Sequence, residues 1–188
     1  MTNPISWLKN IAEARKTARI ENKSILVDWA ALPSCLGCVS LEDTTYADPD
    51  VARYIAEHFV SVRINQSENQ GSFDKMRIIW TPTNTVCNSH GTELDRWTGY
   101  LPPNQFLPRI ILASARAAMS KGDWTDAIEI LNEITVTYED SLAAPEALYW
   151  LGVAHWKTTS DFDRLSNTWW RLMKEYPGSE AAAKASCL

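Results

Sequence analysis

Ile25-Leu26-Val27-Asp28-Trp29-Ala30 runs through Ala31-Leu32-Pro33-Ser34 into Cys35-Leu36-Gly37-Cys38. The first part is a short run of aliphatic, β-branched and aromatic residues of the kind that forms a strand buried on both faces. Pro33 ends it, and Ser34 is placed to cap a helix running through Leu41. The two cysteines therefore fall at a helix N-terminus. There, unpaired N–H groups and the positive end of the helix dipole favour a thiolate. In a cytosolic setting such a close pair reads as catalytic or metal-binding rather than as a structural staple.

Upstream of this stretch, Trp7, Ile11, Ala14 and Ala18 share one face at helical spacing, which predicts an amphipathic helix over 6–22. Downstream, 51–58 reads as another helix and Phe59-Val60-Ser61-Val62-Arg63-Ile64 as a strand, completing a β-α-β unit. Two further strands are expected over 78–86 and 93–98, joined by the turn-rich Asn88-Ser89-His90-Gly91. An antiparallel pair thus follows a parallel one, giving an α/β fold with a central mixed sheet flanked by helices.

From Pro108 onward the strand signals vanish. Trp124, Ala127, Leu131, Ile134 and Tyr138 line one helical face. An internal repeat offset by 38 residues relates Gly122-Asp123-Trp124 to Ser160-Asp161-Phe162 and Tyr138-Glu139-Asp140-Ser141 to Tyr176-Pro177-Gly178-Ser179. It also relates Ala144 and Ala147 to Ala182 and Ala185. That period belongs to arrays of helical hairpins. The expected organisation is an α/β domain over 1–112 followed by an all-α helical-hairpin repeat domain over 113–188.

A net charge of -5 without a Lys/Arg cluster supplies little attraction for phosphate, so no nucleic acid is expected as a partner. The residues up to Lys23 carry neither the apolar core nor the small-residue cleavage site of a secretory signal, and no apolar run is long enough to span a membrane. The expected setting is the cytoplasm, away from membranes.

The order of these elements, with Val27-Asp28-Trp29-Ala30 leading into Cys35-Leu36-Gly37-Cys38 and Trp80-Thr81-Pro82-Thr83 following, resembles the thioredoxin superfamily over about residues 5–112. Arg63-Ile64-Asn65 at a strand end, Gly91 in the last hairpin and Gly99 before a helix support the likeness. The tail looks like tetratricopeptide repeats of the Tyr-Pro-x-Ser kind. The chain departs from the thioredoxin pattern in the Leu36-Gly37 dipeptide, in Val39 where lysine is common, and in one extra residue between Asp28 and Cys35.

The resemblance implies a thiol-disulfide oxidoreductase, of the type that reduces protein disulfides. Cys35 would attack the substrate disulfide and Cys38 would resolve the mixed disulfide. Asp28, an acid in an apolar run whose proton affinity burial would raise, would take the proton from Cys38; the other reading is an acid facing solvent at a strand end. Arg63 matches the family's strand-end lysine as the supporting charge. Pro82 resembles the family's cis-proline, and the Thr81 backbone would pair with an extended substrate. Trp29 and Trp80 would shape the substrate groove or, alternatively, pack in the core.

Electrons would come from a thioredoxin-reductase-like protein or a small thiol, and no metal or organic cofactor is expected. A zinc site joining Cys35 and Cys38 with Cys87 and His90 has suitable spacing. However, if Pro82 abuts the pair, Cys87 lies about 16 Å away along a strand rising about 3.3 Å per residue, and zinc ligands must converge within about 2.3 Å of the metal. Cys87 and Cys187 read as structural thiols, and His58 and His155 as packing or surface residues. Trp150, Trp156, Trp169 and Trp170 would anchor a protein partner or fill the hairpin core. A rival reading makes the first domain a redox-silent or redox-sensing scaffold.

Overall fold

The computed structural model describes residues 5–188; residues 1–4, the start of the first expected domain, lie outside the described residues. The chain divides into two compact units, Met1–Leu107 and Pro108–Leu188.

The first unit is built on a four-stranded sheet in the order β2-β1-β3-β4. Strand β1 (Ser24–Ala30) lies in the middle, parallel to β2 (Phe59–Asn65) and antiparallel to β3 (Thr83–Cys87), which in turn pairs antiparallel with β4 (Glu93–Thr98). Ile25, Leu26, Val27, Asp28, Trp29 and Ala30 are all buried, as a strand covered on both faces requires. One side of the sheet carries a core of Ala14, Ala18, Ile25, Val27, Trp29, Val62, Ile64 and Phe73.

Helix α1 (Ile11–Glu21) starts five residues later than the periodicity from Trp7 predicts. Asn10 caps it, its side chain accepting from the Ala12 and Glu13 N–H groups. The preceding residues are drawn to the sheet edge instead: Leu8 donates to the Ser61 carbonyl at 2.9 Å and accepts from the Arg63 N–H at 2.8 Å. Between β1 and β2 come α2 (Leu36–Ser40), a π-helical turn over Leu41–Thr45, and α3 (Pro49–His58). The cysteine helix thus continues past the expected Leu41, widening by one residue per hydrogen bond as it does.

Helix α4 (Gln70–Met76), not foreseen in the sequence, follows β2 and ends at Arg77 in the left-handed region. The strand expected from Ile78 begins only at Thr83. The cis Thr81–Pro82 bond turns the chain, and Pro82 has no N–H with which to join a ladder. The Asn88–Gly91 hairpin forms as expected, with Gly91 at φ 87°.

Helix α5 (Pro103–Lys121) begins five residues before Pro108, and Pro108 lies inside it. The second unit continues with α6 (Trp124–Thr137), α7 (Ala144–Thr159), α8 (Phe162–Glu175) and α9 (Glu180–Ala185). Neighbours in sequence from α6 to α9 pack on one another. The 38-residue period in sequence is also a period in structure. Asp123 and Asp161 precede α6 and α8, and Tyr138 and Tyr176 follow them. The Ser141 and Ser179 N–H groups donate to those tyrosines' carbonyls. Ala144, Ala147, Ala182 and Ala185 are buried. Gly152 admits the indole of Trp169, which stacks on Tyr149 at 4.9 Å and donates to the Tyr149 carbonyl. Trp169 therefore belongs to the hairpin core, whereas Trp156 and Trp170 are exposed.

Candidate active site

The chain leaves β1 at Ala30 and folds back within five residues. The Cys35 N–H and the Ser34 hydroxyl both donate to the Ala31 carbonyl, at 3.0 Å each, and the Asn65 side chain donates to the Leu32 carbonyl at 3.1 Å. The Leu32–Pro33 bond is cis. This turn occupies Ser34, so the expected Ser34 cap is replaced by Cys35 itself. The Cys35 Sγ accepts from the Cys38 N–H at 3.2 Å, and its carbonyl accepts from the Val39 N–H at 3.0 Å.

Cys35 and Cys38 form a disulfide, with Cα atoms 5.2 Å apart. Their surroundings differ. Cys38 is 4% exposed and its sulfur accepts from the Ala31 N–H at 3.5 Å. Cys35 is half-buried and lines an open hollow of about 490 Å³. Leu36, Gly37, Trp80, Thr81, Pro82, Gly99 and Tyr100 share that hollow. Leu36 is 85% exposed and Trp80 is 68% exposed, so two large apolar side chains stand in solvent beside the reactive pair. The Thr81–Pro82 bond is cis, and the Pro82 carbonyl is tied by the Gly99 N–H at 2.8 Å. A second hollow on the other flank of the turn is polar, lined by Ser34, Asn65, Gln66, Ser67 and Gln70.

Asp28, three residues upstream of Ala31, is 2% exposed. In the sheet it stands between Arg63 of β2 and Asn84 of β3. The Arg63 Nε–H donates to its Oδ2 at 2.7 Å, and among the described residues its buried Oδ1 has no close hydrogen-bond partner. Burial raises the carboxyl above its ordinary range and outweighs the opposing pull of Arg63. Arg63 also reaches Glu42 Oε2 at 2.6 Å and lies under the ring of Trp7, 4.4 Å from its centroid. Tyr46, wholly buried, donates to Asn84 at 2.9 Å.

Of the residues singled out in the sequence, the structure brings Cys35, Cys38, Trp80, Thr81 and Pro82 together and sets Asp28 with Arg63. Trp29 is a correction. It is fully buried, its indole donating to the Thr85 hydroxyl at 3.0 Å and meeting Phe73 edge-on, so it fills the core and does not line the hollow. Leu36, Gly37, Tyr100 and Glu42 were not singled out. Leu36 and Gly37 sit between the cysteines, and Glu42 lies one helical turn beyond Cys38, so spacing alone offered a signal for these three. Tyr100 had no local signal. Cys87 pairs with Ile25 at the opposite end of β1 from the pair. It is buried, which pushes its thiol up to about 11. Among the described residues, no cluster of His, Cys, Asp and Glu suits a metal ion, and no helix is long and apolar enough to cross a membrane.

Known proteins resemble part of this chain. The fold resembles a thioredoxin from Thermus thermophilus, with a TM-score of 0.56 and 22% identity over 63% of this chain and 95% of that one. It also resembles the oxidoreductase DsbH, with a TM-score of 0.51 and 15% identity over 58% of this chain and 83% of that one. In sequence, 118 residues are 25% identical to human spermatogenesis-associated protein 20, covering 57% of this chain and 14% of that protein's length. The model of the thioredoxin-like domain matches residues 11–113, more than half of the chain and the whole of the sheet with its cysteine pair. By that match and by the fold, the chain belongs to the thioredoxin-like family.

Proposed function

We propose that this chain is a thiol-disulfide oxidoreductase that reduces protein disulfides. The observation that carries the reading is the asymmetry of the pair: Cys35 opens on an apolar hollow while Cys38 is covered and faces the Ala31 N–H. In the dithiol state, the Cys35 thiolate attacks one sulfur of a substrate disulfide. An Sγ–S bond forms and the other substrate sulfur leaves as a thiolate. Cys38 then gives its proton to the Asp28 carboxylate and attacks Cys35 Sγ. The Cys35–Cys38 disulfide forms, and the second substrate sulfur leaves and takes up a proton. Two electrons pass to the substrate, and an external dithiol or a reductase resembling thioredoxin reductase restores the pair.

Trp80 and Leu36 would seat apolar residues flanking the substrate disulfide, with Thr81 and Pro82 aligning its backbone. The second unit, read as tetratricopeptide-like, would retain a protein partner. Its exposed Trp156 and Trp170 support that role. A reducing compartment such as the cytoplasm fits the chemistry.

The test is mixed-disulfide trapping. With Cys187 replaced by Ser in both, a Cys38→Ser chain incubated with a disulfide-bonded protein is expected to accumulate a covalent adduct through Cys35, and a Cys35→Ser chain to give none. Equal adducts from both variants, or none from either, would overturn the assignment.

A further inference from the structure

The guanidinium of Arg63 touches two carboxylates that come from different elements, Asp28 of β1 and Glu42 of the π-helical turn, at 2.7 and 2.6 Å. Only Asp28 belongs to the mechanism proposed above, on which this inference rests. Its two oxygens are treated unequally: Oδ2 receives the Arg63 Nε–H, while Oδ1 accepts no close hydrogen bond among the described residues. We propose that Glu42 is a positioning residue of the redox site: by holding Arg63 from the other side it divides that positive charge, so that Asp28 can still bind a proton.

A guanidinium given wholly to one buried carboxylate pulls it toward the ionised form, against the effect of burial, and so weakens its hold on a proton. A second negative charge on the same guanidinium opposes this, and the charge of Glu42 acts on Asp28 in the direction of protonation. The other groups around Asp28 are Tyr46, whose hydroxyl favours the ionised form, and Asn84, which is uncharged. Trp7 covers Arg63, and Tyr46 stands at 5.5 Å from its guanidinium carbon, so the Arg63–Asp28 contact is sheltered from the screening that weakens exposed pairs, while Glu42 reaches the guanidinium from the more open side. The geometry depends on the π-helical turn. Glu42 lies in its first turn, where the wide helix begins directly after the cysteine helix.

The experiment is a carboxyl titration by carbon-13 NMR on the oxidised full chain, with Asp28 assigned through Asp28→Asn. In Glu42→Gln the Asp28 midpoint is expected to move down by about one pH unit. In Glu42→Asp, which keeps the charge on a shorter arm, less than half of that shift is expected. An unmoved or raised midpoint in Glu42→Gln, or equal shifts in both variants, overturns the proposal. Should Glu42→Gln fail to fold, Glu42→Asp decides alone, a lowered midpoint supporting the proposal and an unmoved or raised one overturning it. The titration is read on the protein itself. A chain that shifts as expected yet exchanges no disulfide would therefore contradict the proposed function and leave the Glu42 assignment standing.

Discussion

Gly37 approaches Pro82 so closely that a Cβ built on it would stand 2.9 Å from Pro82 Cδ, nearer than real side chains pack. The cysteine helix and the cis-proline loop therefore meet backbone against ring, and both residues line the hollow in front of Cys35. Gly37→Ala is expected to destabilise the first unit by about 1–3 kcal/mol, as overpacking does. It is also expected to slow reduction of a protein disulfide about tenfold, equivalent to about 1.4 kcal/mol. Gly71→Ala is the control, because its Cβ meets nothing within 4 Å on α4 and the change is expected to stabilise by about 0.5–1 kcal/mol. Thermal melts and initial rates on the two variants check both parts.

Asp28 gives a pH dependence whose sign is fixed. Burial makes the folded chain bind the Asp28 proton more tightly than the unfolded chain, whose ordinary value is 3.8. The native state then holds more protons, so this carboxyl's contribution to stability falls as pH rises from about 4 through its folded midpoint. Asp28→Asn removes that slope. Urea midpoints from pH 4 to pH 9 are expected to diverge in favour of the variant as pH rises; divergence in favour of the wild type would show that Arg63 outweighs burial.

Cys87 and Cys187 separate by reactivity. A thiol pushed up to about 11 and buried in β3 is almost wholly protonated at pH 8, while Cys187 is exposed. Brief alkylation of the native, oxidised chain at pH 8, followed by peptide mass analysis, is expected to label Cys187 and spare Cys87 until denaturant is added.

In the second unit, a Cβ at Gly152 would lie 2.8 Å from two atoms of the Trp169 ring. Gly152→Ala is expected to cost about 1–3 kcal/mol by displacing that ring from its stack on Tyr149. The loss should appear in chemical denaturation of the full chain, together with a change in tryptophan fluorescence.

What the sequence disclosed, and what it hid, follows from the range of the interactions involved. The run from Ile25 to Ala30 announced a buried strand because burial on both faces leaves no polar alternation. The same absence of alternation hid which face Trp29 takes, so the groove and core readings stayed open until the structure placed it in the core. The cysteine pair was legible because its chemistry is local, four residues at a helix start. The Ser34 cap does not form because the turn after β1, which the pattern does not encode, brings the Ser34 hydroxyl back to the Ala31 carbonyl and leaves Cys35 as the cap. Periodicity places the start of α1 at Ser6, whereas pairing of Leu8 with the β2 edge and the Asn10 cap begin it at Ile11. Glu42 was overlooked because its value lies in a guanidinium from β2, reached only once the sheet is assembled.

As a reductant, the Cys35–Cys38 pair must exchange reversibly between dithiol and disulfide. This is tested most directly by equilibrating the full chain in graded dithiol/disulfide buffers, followed by alkylation and peptide mass analysis. A reductant is expected to show a reversible Cys35–Cys38 pair with a midpoint at or below about -250 mV. A midpoint above about -200 mV would contradict the direction of electron flow. No pair at any potential would contradict the enzyme outright and leave a redox-silent thioredoxin-like scaffold.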